Sequence, residues 1–195
     1  MLIFCADSSG TSLSFCLAVE ESDVRVLLGT VSYPAQGRMS DFFFSVMEQF
    51  LLANNRTVHD IDKWVVITGP GSFTGIRIGM AGISGICAAL GKPLYGISAL
   101  DAAALLSGKM NVVTAARLKF DEYALRSYDF ISSKYSVLSI ARSNELPEGA
   151  IMAGINMNLA ESIADVRSER FIGEAAPLYS KRSEAEINFD KKSGF

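Results

Sequence analysis

A chain of 195 residues that is 49% hydrophobic and 20% charged, with a mean hydropathy of +0.26, has ample material for a core, and its length fits one domain or two small lobes. Its net charge of −3 leaves no electrostatic footprint for holding nucleic acid unaided, so any RNA contact is expected only through a more basic partner. Cys5, Cys16 and Cys87 sit in apolar runs without a CxxC pair and read as reduced core thiols. The first residues lack the basic region of a signal peptide, and no uninterrupted apolar run reaches about 18 residues, so the expectation is a cytoplasmic protein with no membrane attachment.

In chain order, residues 2–6 form an apolar run, "DSSG" at 7–10 is turn chemistry, and "TSLSFCLAV" alternates polar with apolar; residues 24–32 read as a third strand. Three consecutive strands predict an antiparallel meander. "MSDFFFSVMEQFLLANN" (39–55) predicts a helix with Ser40 as N-cap. "KWVVIT" follows as a strand, "GIRIGMAGISGICAALG" as a helix stopped by Gly91 ahead of Pro93, "PLYGIS" as a strand and "ALDAAALLSG" as a short helix. This βββαβαβα order is that of an RNase H-like lobe. Beyond Asn111, "NVVTAAR", "EYALRSYDF", "YSVLSIA" and "AIMAGIN" are strand-like, and "NLAESIADVRSERFIG" (158–173) reads as helical. The domain expectation is a larger lobe over 1–108, a smaller one over 109–182 and a frayed tail over 183–195.

The segment "GPGSFTGIRIGMAG" has the outline of a phosphate loop but lacks the Lys of a Walker A motif and the third glycine of a dinucleotide fingerprint. Two readings stand: Gly69, Gly71, Ser72 and Arg77 form a vestigial anion site with Asp7 and Ser8 of the first turn, or they are turn and capping residues. His59 is the lone histidine and lies in a polar linker, so neither a Ser-His-Asp triad nor a three-ligand metal site is foreseen, and no catalytic residue or metal ligand is assigned.

On a helical wheel the apolar residues of 42–51 spread over roughly 200°, about twice the width of a single core-facing stripe. Gly75, Gly79, Gly82 and Gly85 recur at three- and four-residue spacing along the next helix, at a cost of roughly 1 kcal/mol each relative to alanine. Both stripes could meet the protein's own sheet, but the two together favour an intersubunit helix bundle. Its expected contacts are Phe42, Phe43, Val46, Met47, Phe50, Ile76, Gly79, Met80, Gly82 and Ile83.

"GPGSFTGIRIGMA", preceded by "DIDKWVVIT" and followed by "GKPLYGISALDAAA", together with the "DSS" turn and the late "APLYSKR", resembles the TsaB (YeaZ) family, a glycoprotease-like M22 group. The resemblance implies an α/β ASKHA (actin-like ATPase) fold of two RNase H-like lobes, the second small. It implies a non-catalytic scaffold role in making threonylcarbamoyladenosine (t6A) in tRNA, with a TsaD-like catalytic subunit and a TsaE-like ATPase as partners and a homodimer when alone. In that family the pairing helices correspond to about Ser40–Asn54 and Phe73–Leu90. No cofactor is expected to be required by this chain, with ATP or ADP at a partner interface left open. The alternative is an independent M22-type peptidase or ATP-binding protein. Two departures stand out: Met39 where the family usually has His, and Ala115 where it usually has Asp.

Overall fold

The computed structural model describes residues 1–22, 24–34, 38–155 and 157–176. Strands β1 (Leu2–Asp7), β2 (Ser12–Glu21) and β3 (Val24–Pro34) form the expected antiparallel meander. Helix α1 (Met39–Ala53) crosses to β4 (Lys63–Ile67), α2 (Phe73–Leu90) to β5 (Leu94–Ile97), and α3 (Ala99–Leu106) leaves the sheet. β4 pairs parallel with β1 and with β5, giving the spatial order β3-β2-β1-β4-β5. All six residues of β1 and all five of β4 are buried, as expected for central strands covered on both faces.

The second sheet comprises β6 (Asn111–Arg117), β7 (Glu122–Asp129), β8 (Lys134–Tyr135), β9 (Ser139–Arg142) and β10 (Ile151–Met152). β7 pairs antiparallel with β6, β8 and β9, while β10 runs parallel to β6. A last short strand, β11 (Gly173–Glu174), returns to β5 on the first sheet. The span expected to form the smaller lobe therefore also contributes a strand to the larger one. The tail over 183–195 and most of "APLYSKR" lie outside the described residues.

Two expectations need correction. Helix α1 starts one residue before the Ser40 cap: Arg38 occupies the cap position without a side-chain hydrogen bond, and Ser40 Oγ donates to Asp41 Oδ1 at 3.1 Å. Met39 is buried in the aromatic core, which draws it into the first turn. The run 158–173 is not an α-helix but two 3-10 segments, Leu159–Ala164 and Val166–Arg170. Asn158 and Asp165 accept hydrogen bonds from the backbone N–H groups of Ala160 and Arg167, and such local side-chain caps compete with helix continuation. Helix α2 ends as expected, with Gly91 in the left-handed region at φ 64°.

Two cores flank the large sheet. Under α1 and α2 lie Phe4, Phe15, Phe43, Phe50 and Trp64, with Phe4 at 5.0 Å from Trp64 and Phe15 edge-on to Phe43 at 5.4 Å between ring centroids. Under α3 and the first 3-10 segment the packing is small: Ala99, Ala102, Ala103 and Ala160 fill in around Ile3, Val65 and Ile163. Cys5 and Cys16 face each other across β1 and β2 in this second core; all three cysteines are buried free thiols.

Candidate functional site

Three places carry the chemistry singled out in the sequence. The first is the turn after β1 and the start of α2. The Asp7 carboxyl is 3% exposed, and its Oδ1 accepts hydrogen bonds from Ser9 N at 2.8 Å and Ser9 Oγ at 2.6 Å. Burial pushes its pKa above the ordinary 3.8, and the Ser9 hydrogen bonds pull the other way. Ser8 Oγ donates to the carbonyl of Gly75 at 2.8 Å, and Ser72 N donates to the carbonyl of Ser9 at 2.7 Å. Ser72 Oγ accepts from Gly75 N at 3.2 Å as the N-cap of α2. A side chain at Gly71 would collide with the Ser9 carbonyl. Gly69 is buried, its carbonyl accepting from Ala99 N at 2.7 Å.

Thus Asp7, Ser8, Gly71 and Ser72 do converge, but Ser8, Gly71 and Ser72 are engaged with the protein's own turn and helix cap. Arg77 lies elsewhere: it is exposed, with its guanidinium 3.9 Å from the centroid of the Phe73 ring.

Asp7 instead lines a polar cleft of about 290 Å³ between the first hairpin and Gly154, Met157 and Asn158 of the second lobe. Thr11, Ser12, Ser14, Ser32 and Asn158 share the lining. Ion pairs tie the first sheet to the late 3-10 segment. Arg25 pairs with Glu20 and, at 2.6 Å, with Glu169; Lys63 also pairs with Glu169. Arg25 further donates to Ser168 Oγ at 2.7 Å. Ser168 and Glu169 are 143 and 144 positions from Arg25 along the chain, and residue spacing in the sequence gives no sign of them.

A second network, also missed by sequence reasoning, ties α3 to β7. Asp101 Oδ1 accepts from Tyr128 Oη at 2.6 Å and pairs with Arg126 at 3.0 Å, and Ser98 Oγ donates to its other oxygen. Burial pushes the Tyr128 hydroxyl pKa far up, and the neighbouring Asp101 charge adds to the shift. Among the described residues no group of three or more His, Cys, Asp or Glu could hold a metal ion.

The third place is the outer layer of α1 and α2. Of the ten residues expected at an interface, Phe43, Met47, Phe50, Ile76, Gly79 and Ile83 are buried within this chain, so they cannot make first contact with a partner. The smooth glycine face also resolves mainly inward. Side chains at Gly75 and Gly79 would strike Ser8, and one at Gly82 would come within 2.9 Å of the Phe43 ring. Only Gly85 of the four has nothing within 4 Å. Phe42, Val46, Met80 and Gly82 remain half-buried, and Phe44, Leu52 and Phe73 stand 54%, 63% and 41% exposed on the same two helices. Helix α2 is long and apolar enough to cross a membrane by length and composition, yet only 28% of it is buried. A groove of about 620 Å³ beside it is lined by Arg77, Met80, Ala81, Ser84, Leu94 and Glu174 among others.

The family departures are explained locally. Position 39 is core, where Met packs without a polar atom to satisfy. Ala115 is fully buried in β6 opposite Leu125, where an acid would be costly to bury without a partner.

Two sheets, with helices on the faces of the larger one, define an α/β protein with a reduced second lobe. More particularly, the fold is that of YeaZ. YeaZ from Pseudomonas aeruginosa superposes with a TM-score of 0.72 over 91% of this chain and 99% of that one, at 16% identity. A structure described as similar to the peptidase YeaZ of the same organism gives 0.71 over 92% and 99%, at 15% identity. Residues 34–119, from the end of β3 to just past β6, match the family model of TsaD, tRNA N6-adenosine threonylcarbamoyltransferase. An uncharacterized Mycobacterium tuberculosis protein is 48% identical over 62 residues, which are 31% of this chain and 29% of that protein. The tRNA N6-adenosine threonylcarbamoyltransferase of Roseobacter denitrificans is 41% identical over 59 residues, 30% of this chain and 16% of that enzyme. The matches thus span less than a third of the length of these curated relatives.

Proposed function

We propose that this chain is a non-catalytic subunit for threonylcarbamoyladenosine modification of tRNA, docking through the outer faces of α1 and α2 onto a TsaD-like transferase. The observation that carries the reading is the apolar surface left on those helices after the core is complete: Phe44, Leu52 and Phe73, with the bare stripe at Gly85. Large exposed apolar surface of this kind marks interaction sites. The likeness to the TsaD family over 34–119, which contains both helices, and to the YeaZ fold supports choosing a TsaD-like partner in this reading. In this reading tRNA is met only through the complex, a TsaE-like ATPase joins it, and a homodimer uses the same face when the partner is absent. ATP or ADP, where it takes part, sits at a partner interface.

The test uses residues on the outer face rather than in the core. Neither Gly85→Arg nor Phe44→Glu should lower the melting temperature by more than about 2 °C, since exposed positions lose little stability and loss of a mid-helix glycine favours the helix. Both should abolish co-purification with the TsaD-like protein of the same organism and t6A formation in a reconstituted assay. Full complex formation and modification with both variants would overturn the reading.

A further inference from the structure

We propose that the cleft between the first hairpin and Gly154, Met157 and Asn158 is a binding site for a small hydroxylated primary amine, held as its ammonium ion. The floor is Asp7, 3% exposed, whose Oδ1 is occupied by Ser9 while its Oδ2 accepts no hydrogen bond from any described residue. Among the described residues the sealed polar atoms without a partner are Trp64 Nε1, Arg126 Nε and Ser162 Oγ; Asp7 Oδ2 is not one of them, and Asp7 lines the cleft. A buried carboxylate oxygen lacking a donor is costly unless a cation or donor meets it.

The walls are hydroxyls. Ser14, itself 3% exposed, donates to Ser32 Oγ at 3.1 Å, and Thr11 and Ser12 stand beside them. Hydroxyl oxygens accept from an ammonium group and can exchange hydrogen bonds with hydroxyls on its carrier. Among the described residues no Lys or Arg lines the cleft. The next layer is acidic as well: Asn158 donates to Thr30 Oγ1 at 2.5 Å, which donates to Glu161 at 3.0 Å. A phosphate placed here would face Asp7 with no cation to offset the repulsion, so the cleft selects against the ligand that the loop's outline suggests.

Size separates the remaining cations. About 290 Å³ is roughly ten times the ~30 Å³ share of one water, far too roomy for a bare ion, and it lies at the small end of organic ligand cavities, which run from about 300 to 1,000 Å³. An amino alcohol fits that range; a nucleotide does not.

The experiment is an amide-detected NMR titration of the full chain at neutral pH with serinol (2-amino-1,3-propanediol). Glycerol serves as the uncharged analogue, potassium chloride as the bare cation and magnesium-ATP as the anion. Serinol should saturate in the millimolar range with shifts centred on residues 7–14, and glycerol should bind at least about 10-fold more weakly, since hydrogen bonds to charged groups carry that discrimination. Asp7→Asn should weaken serinol at least about 10-fold, and Ser32→Ala, at a more exposed position of the lining, about 3-fold. Should Asp7→Asn fail to fold, Ser32→Ala alone decides. Equal binding of glycerol, full competition by potassium, ATP binding that depends on Asp7, or serinol binding unchanged in the folded variants would each overturn the proposal. None of these outcomes bears on the docking face of α1 and α2.

Discussion

The two faces of the six-stranded sheet are finished in opposite ways. Beneath α1 and α2 the core is aromatic and large, yet the helices that cover it still carry Phe44, Leu52 and Phe73 on their outer side. Beneath α3 and the 3-10 segments the core is built of alanines, and its surroundings are closed by polar links: Asp101 with Arg126 and Tyr128, and Arg25 with Glu20 and Glu169. One face is stable but apolar outward; the other is satisfied by its own charges. The difference teaches that completing a core does not by itself finish the outside of the helices that cover it: Phe44 and Leu52 stay exposed on α1 above the aromatic layer.

Three substitutions sharpen the contrast. The largest effect belongs to Phe43→Ala, which empties the junction of Phe15, Phe44 and Gly82 and should cost about 3–5 kcal/mol in denaturant unfolding. A loss under about 1 kcal/mol would mean that this side chain is not part of the core. Next comes Asp101→Asn on the opposite face, which removes the charge that pairs with Arg126 and should cost about 1.5–3 kcal/mol. Combined with Phe43→Ala its effect should be additive within about 0.5 kcal/mol, because the two sites share no partner; strong coupling would show that the faces are not independent. The smallest change has the opposite sign. Gly85→Ala, in mid-helix with open space around it, should stabilise by roughly 0.8–1 kcal/mol as read from the melting curve, whereas a methyl at Gly75 in the same helix meets the Ser8 backbone and must destabilise.

Much of this architecture was legible because periodicity is strong where burial is complete. β1 and β4 read as continuous apolar runs, α2 carries its own stop at Gly91, and the βββαβαβα order follows. The apolar arc on α1 is wider than the face that packs on the sheet, and a wheel does not say which half faces inward. Phe43 and Phe44 are chemically identical and adjacent, and only the tertiary placement makes one 1% and the other 54% exposed. The glycine stripe misled for the same reason: close approach was real, but at Gly75 and Gly79 the approaching group is the hairpin turn of this chain. In the late segment 158–173 apolar spacing suggested a helix, and two side-chain caps overruled it. The cleft around Asp7 draws on residues from 7 to 158, a set no local pattern unites.

The seating of Ser8 against Gly75 and Gly79 has a mechanical side. With no room for even a methyl group between them, and with Ser72 N and Ser8 Oγ bonded across the contact, the turn at the end of β1 and the long helix α2 behave as one lever. The floor of the cleft is thus built directly against the inner side of a helix whose far side lies only one helix diameter away, about 10 Å.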